Sequence, residues 1–294
     1  MALTISKARV YLENYYDKTH PTEEDEFLMI ECLEYLIKET NDPDEMMNLG
    51  GYYYGKKQFD LAEEYYLMAA EYKSIDAYAC LGYIYYYGRV DQPDYEKAFH
   101  YYKLAADAGD IESAYKVADM YKNGYFVEKN YDEYKRIIES LYPKVKDANR
   151  LNKPLPEIFT RLASIYKKEG RNEEAIELLY QAKDFLAQRL IYNNFFGNLT
   201  IMKFLIRDLY TLVPFDIDYV DLFDLYYLLQ RPCKIILHIF DKEYEIDASD
   251  PNDIILEDKH YENVESLFSR AKINNYNLSS LYRKIDYIEV KEWK

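Results

Sequence analysis

Two ten-residue stretches, LAEEYYLMAA at 61–70 and KAFHYYKLAA at 97–106, carry the same Tyr-Tyr and Ala-Ala pairs 36 residues apart. A period of this size constrains the fold more than any single motif, because it marks one supersecondary unit used repeatedly. Upstream, NLGGYYYG (48–55) corresponds to CLGYIYYYG (80–88), with Leu49-Gly50 and Leu81-Gly82 separated by 32 residues. The difference of four falls in the loop GRVDQPD of the second copy. A third copy, VADMYKNGYFVEKNYDEY (117–134), keeps Tyr121, Gly124, Val127 and Tyr131 in frame, and a fourth reads LASIYKKEGRNEEAIELLYQA (162–182).

Each copy reads as helix, turn, helix. Small residues (Gly82, Ala98, Ala105, Ala106) mark where two helices approach, and large ones (Leu81, Tyr85, Tyr102) fill the space between them. Gly88, Gly124 and Gly170 follow the first helix of their copies, where a left-handed C-cap costs glycine least. A single helix pair cannot bury its apolar stripe, so the copies must stack.

The second copy resembles the Sel-one-like repeat, a relative of the tetratricopeptide repeat with a longer inter-helix loop. The resemblance rests on Leu81, Gly82, Tyr85, Gly88, Asp94, Tyr95, Lys97, Ala98, Tyr101, Tyr102, Ala105, Ala106 and Gly109. Val90 stands where the loop of that family has a second glycine, and the third copy places Tyr134 at a small-residue position. The first and fourth copies follow the shorter tetratricopeptide spacing, with Ala62, Tyr66 and Ala69, and Ala175, Leu179 and Ala182. The resemblance implies a mainly α fold, a right-handed α-solenoid over residues 44–195. It also implies a scaffold for a protein or peptide partner, a role that many unrelated partners share.

The ends break the period. Two helices near 4–17 and 22–39 are expected to form a helical cap over residues 1–43, the second opening at Pro21 and the acidic run TEEDE. Residues 196–231 read as a terminal helical hairpin, 198–212 and 216–230, turning at Val213-Pro214. After Pro232 the pattern becomes β-type. KIILHIFDKEYEID (234–247) predicts a β-hairpin around Asp241-Lys242, followed by a helix near 260–273 and a strand near 284–291. Residues 232–294 thus form a small α+β element.

Lys and Arg total 37 against 53 Asp and Glu, a formal charge of −16. An acidic surface repels phosphate backbones and anionic lipid, so nucleic acid and membranes are not expected partners. No apolar run reaches the ~18 residues of a membrane span, and the first twenty residues lack a signal-type apolar core, so a cytoplasmic protein is expected. Cys32, Cys80 and Cys233 read as unpaired thiols. The sequence has no phosphate-binding glycine loop, HExxH, CxxC or GxSxG. Its four histidines, His20, His100, His238 and His260, lie far apart. No catalytic residue, metal or cofactor is therefore expected.

Function then rests on a surface. Tyr78, Leu81 and Tyr85 share one stripe of a helix and are assigned to the core; Ala79, Tyr83 and Tyr86 form a second stripe. In tetratricopeptide-like stacks that second stripe lines the concave face. Its counterparts in the neighbouring copies are Tyr54, then Tyr115, Asp119 and Lys122. An exposed row of Tyr54, Tyr83, Tyr86 and Tyr115 would suit an extended peptide, since tyrosine offers wide contact with few rotors to freeze. AT-rich codons account for part of the 36 tyrosines, so their abundance alone carries no weight. The alternative reading is an intracellular peptide- or ligand-responsive regulator with the C-terminal element as effector. The N-terminal 43 residues hold four Lys/Arg against ten Asp/Glu, which counts against a DNA-binding version.

Overall fold

The structure, a computed structural model, describes residues 3–146, 154–192 and 196–293, and the chain divides into two compact units, Met1–Ile137 and Ile138–Lys294. The first unit contains helices α1 (Ile5–Tyr16), α2 (Glu23–Thr40), α3 (Pro43–Gly55), α4 (Phe59–Glu71), α5 (Ile75–Tyr87), α6 (Tyr95–Asp107) and α7 (Ile111–Asn123). It also holds the start of α8 (Tyr131–Val145). Thr22 caps α2 through a reciprocal bond with Asp25, and Ser74, Asp94 and Asp110 cap α5, α6 and α7. Each cap satisfies a backbone donor that the first turn would otherwise leave open. Gly88 and Gly124 end α5 and α7 with φ of 57° and 76°. The α-solenoid of helix-turn-helix repeats is present as expected.

What locks each pair of helices is one glycine against one ring. A Cβ on Gly82 would lie 2.5 Å from Cδ1 of Tyr102, and one on Gly50 would lie 2.6 Å from Cε1 of Tyr66. Thus the second tyrosine of each Tyr-Tyr pair occupies the space that the Leu-Gly glycine leaves, which explains why the two motifs recur together. Leu81, Ile84, Tyr85, Ala98, Tyr102, Val117 and Met120 form one buried cluster with Ala62 and Tyr66. Leu12, Met29, Leu33, Leu36, Met46 and Leu49 form a second, so α1 and α2 share a core with α3. In the third copy the bulk has moved one turn earlier. Tyr134 replaces the small residue yet is buried, with 1% of its surface exposed.

The second unit opens with the later part of α8 and the fourth pair, α9 (Leu155–Lys168) and α10 (Asn172–Tyr192), followed by α11 (Phe196–Leu209). The expected boundary at residue 195 lies outside the described residues. The expected helix over 216–230 is corrected. Only a short 3-10 turn (Leu222–Asp224) and one turn of helix, α12 (Leu225–Leu228), form there. The cause is the aspartate series. Asp216 accepts from the Asp218 amide, and Asp221 accepts from Phe223 and Asp224, so side chains take backbone donors that a helix needs.

Seven strands follow: β1 (Cys233–Ile239), β2 (Lys242–Asp250), β3 (Asp253–Leu256), β4 (Lys259–Tyr261), β5 (Lys272–Ile273), β6 (Tyr276–Asn277) and β7 (Ile285–Trp293). Helix α13 (Val264–Arg270) is inserted after β4. Five of the strands make an antiparallel sheet in the order β4-β3-β2-β1-β7, and β5 pairs with β6. Three tight turns, Phe240-Asp241, Glu257-Asp258 and Asn274-Asn275, each hold two consecutive residues at positive φ, the geometry of two-residue hairpins. Only the first hairpin was expected, with its turn one residue later at Asp241-Lys242; β3, β4 and the β5–β6 hairpin were not. Cys233, Ile235, Leu237 and Ile239 turn inward, while Lys234, Ile236 and His238 turn outward. Phe268 of α13 stacks on Tyr226 at 4.7 Å.

A buried ion network fixes the irregular 216–230 stretch. Lys183 Nζ of α10 lies 2.8 Å from Asp221 and 2.7 Å from Asp224, and the Tyr210 hydroxyl donates to Asp224 at 2.7 Å. Burial opposes the Lys183 charge, but the two aspartates outweigh it and hold its pKa above the ordinary value.

Candidate binding face on the first helices of the repeats

Helices α3, α5 and α7 are the first helices of the three copies, and their tyrosines meet. Tyr54, at the end of α3, packs its ring 5.1 Å from Phe59 and 6.2 Å from Tyr83 of α5. Tyr83 lies 4.5 Å from Tyr87, one turn further along α5. Tyr86 touches Tyr87 at 4.9 Å and then Tyr95, Tyr102 and Tyr125, of which Tyr95 and Tyr125 stack on each other at 4.5 Å.

Two cations complete the cluster. Arg89, just past the α5 cap, donates from Nη2 to the Tyr83 hydroxyl at 3.0 Å. Its Cζ lies 5.4, 5.5 and 5.9 Å from the ring centroids of Tyr83, Tyr87 and Phe59. Lys116 of α7 donates to the Tyr87 hydroxyl at 3.1 Å, with its Nζ 5.3 Å from the Tyr87 centroid and 5.6 Å from that of Tyr86. Tyr87, 43% exposed, therefore stands between two cations. Each cation–π contact of this kind is worth about 0.5–1 kcal/mol at an exposed site.

The expected exposed row is altered by these contacts. Tyr54, Tyr83 and Tyr86 are brought together but are half-buried, and Tyr86 is walled by four rings. Tyr115 is buried, with 5% exposed, and its hydroxyl donates to Glu112 at 3.1 Å, so it belongs to the core and not to an open row. The stripe argument fails there because α7 buries Tyr115 together with Ser113, Val117, Ala118 and Met120. Asp119 is half-buried beside Tyr86 and, after burial itself, helps to raise the pKa of that phenol. Lys122 is exposed and lies 5.1 Å over the Tyr134 ring of α8. Tyr78 is half-buried against Tyr101, and Tyr85 is buried as assigned.

Tyr87, Arg89, Lys116 and Phe59 were not among the expected site residues. A signal existed for Tyr87, which sits four residues after Tyr83 and so beside it on a helix. Arg89 had none beyond being a cation in an acidic chain.

Away from this face, a groove of about 770 Å³ is lined by Leu67, Lys97, Phe99, Lys103, Leu104 and Phe126 among others. A smaller one of about 450 Å³ borders it at Tyr85, Asp94 and Lys97. In the second unit His238 stacks on Tyr287 at 3.8 Å on the outer sheet face. Among the described residues no group of three or more His, Cys, Asp or Glu could hold a metal ion, and no helix is long and apolar enough to cross a membrane.

Buried and half-buried phenols give the fold an alkaline limit. Burial, followed by nearby Glu34, pushes Tyr65 up to about 12, and burial holds Tyr66, Tyr85, Tyr86 and Tyr102 higher still. Unfolded tyrosine ionises near 10, so above that pH the unfolded chain binds fewer protons than the native one and stability falls as pH rises. Tyrosinate absorbance followed together with far-ultraviolet circular dichroism should rise in a cooperative step that coincides with helix loss. A smooth titration centred near 10 with helix intact would contradict the burial of these rings.

The comparisons with known proteins bear on the repeat fold. Residues 46–71, 75–110 and 111–133 match the family model of the Sel1 repeat. The crystal structure of a Sel1 repeat protein from Oxalobacter formigenes is similar, with a TM-score of 0.52 and 21% identity over 69% of this chain and 75% of that one. A protective antigen of uropathogenic Escherichia coli strains, displaying an SLR fold, gives a TM-score of 0.49 and 16% identity, covering 70% of this chain and 48% of the other. No curated protein matches the chain.

Proposed function

We propose that this chain, which carries Sel1 repeats over residues 46–133, is a non-enzymatic scaffold that receives an extended protein segment on the face of α3, α5 and α7. Sel1 repeats generally mediate protein–protein interaction. The observation that carries the finer reading is Tyr87, a large exposed ring held by Arg89 and Lys116 and flanked by Tyr83 and Tyr86. A ring already ordered by its neighbours loses little freedom on binding, and aromatic and arginine side chains dominate interface hot spots. The absence of a catalytic constellation in the sequence supports a binding role. Localisation in the cytoplasm is part of the same proposal.

The test is a paired capture experiment. Tyr87→Ala with Tyr83→Ala should weaken partner binding by about 2 kcal/mol or more, the scale of an aromatic hot spot. Circular dichroism should show the helices intact, with only a modest fall in melting temperature from the lost ring and cation–π contacts. Tyr86 is left intact because its four ring neighbours make it a stability residue as well. A partner retained at wild-type affinity by the double variant would remove this face from the proposal.

A further inference from the structure

We infer that the occupant of this face is an acidic peptide segment whose carboxylates are received by Arg89 and Lys116; the inference rests on the binding-face reading above. In the same unit Lys18, Lys56, Lys97, Lys103 and Arg136 all have a carboxylate within ion-pair distance. Arg89 and Lys116 have none among the described residues. What singles these two cations out is that both lie over the exposed ring of Tyr87. Their hydrogen bonds go instead to the hydroxyls of Tyr83 and Tyr87, neutral acceptors that position a cation without cancelling its charge. The rings beside them keep part of the water away, which strengthens any charge that arrives.

The recognition chemistry follows from the two head groups. A guanidinium offers a planar fork that takes a carboxylate in two parallel bonds, while an ammonium acts as a point charge. Both flank the single ring of Tyr87, at 5.5 and 5.3 Å from its centroid. Acidic side chains two residues apart on an extended strand are separated by roughly 7 Å, a spacing that lets them straddle one aromatic ring. Beneath the cluster the Tyr102 hydroxyl, 2% exposed and without a hydrogen-bond partner, lies among Tyr87, Glu112, Tyr86 and Tyr83. It is a donor that an acceptor entering between these rings would satisfy.

The proposal is tested by panning a random-decapeptide display library against the full chain and against two variants, Arg89→Gln/Lys116→Gln and Arg89→Glu/Lys116→Glu. The wild-type chain should enrich peptides with paired Asp or Glu residues. A synthetic copy of one such peptide should bind about tenfold more weakly to the Gln variant, a difference of about 1.4 kcal/mol. The Glu variant should enrich Lys- and Arg-rich peptides instead. Enrichment without acidic bias, yet abolished by Tyr83→Ala/Tyr87→Ala, would overturn the acidic occupant and leave the binding face standing. Enrichment unaffected by the tyrosine pair, or none at all, would overturn both. Unchanged circular dichroism in the Gln variant guards against misfolding as the cause of lost binding, and a collapsed signal shifts the test to Lys116→Gln alone, where the same acidic preference must weaken.

Discussion

Lys183→Ala should destabilise the second unit by about 3–5 kcal/mol, the cost of leaving buried acid without its cation. Lys183 is 8% exposed and Asp224 1%, so neither charge can turn to water once the partner is gone. The damage should be local first. Amide hydrogen exchange should accelerate in α10 and across 222–228, the segment that the aspartates hold in place. Lys183→Met with both Asp221→Asn and Asp224→Asn should recover much of the loss, because removing the cation together with its two acids leaves a smaller penalty than removing the cation alone. A loss below about 1 kcal/mol for Lys183→Ala would mean the network is hydrated and that the 216–230 stretch is held by packing alone.

Leu81→Ala should cost about 2–5 kcal/mol, through lost burial and the cavity left among Tyr66, Tyr85, Ala98 and Tyr102. Leu81 is fully buried, and its neighbour Gly82 is already filled by the Tyr102 ring, so the site has little freedom to collapse. Denaturant unfolding of the full chain, with hydrogen exchange in α4 to α6 as the local readout, measures the effect. Tyr87→Ala, only a few residues along the same helix, should cost less by the same readout, about 1–2 kcal/mol from its two cation–π contacts. If the two substitutions cost the same, the division of α5 into a packing stripe and a contact face is wrong.

The helical repeats were legible because their signals are local and redundant. Leu-Gly, the Tyr-Tyr pair and the capping glycine each recur, and the structure shows that the first two are halves of one contact. The binding face was legible only in part. Period placed Tyr54, Tyr83 and Tyr86 together, but burial is set by how much of a helix its neighbours cover, and that misplaced Tyr115. Arg89 and Lys116 escaped notice because which ring two cations share is a property of three-dimensional neighbours. In the second unit, strands β3 to β6 went unread because IILEDKHY and KINNYN are short, and their turns lack glycine. Phe240-Asp241, Glu257-Asp258 and Asn274-Asn275 accept positive φ without it.

The sheet order has a consequence during synthesis. Strands β1 to β4 pair with sequence neighbours through tight turns, so they can zip as they leave the ribosome. The other side of β1 must wait for β7, about fifty residues later in the chain. Through that interval β1 is an open edge with apolar Ile235, Leu237 and Ile239 on one face, a template for a nascent neighbour on the same message. Proteolysis that clipped 285–293 would recreate the same exposed edge in the mature protein, converting a strand that is central in the finished sheet into a nucleus for aggregation.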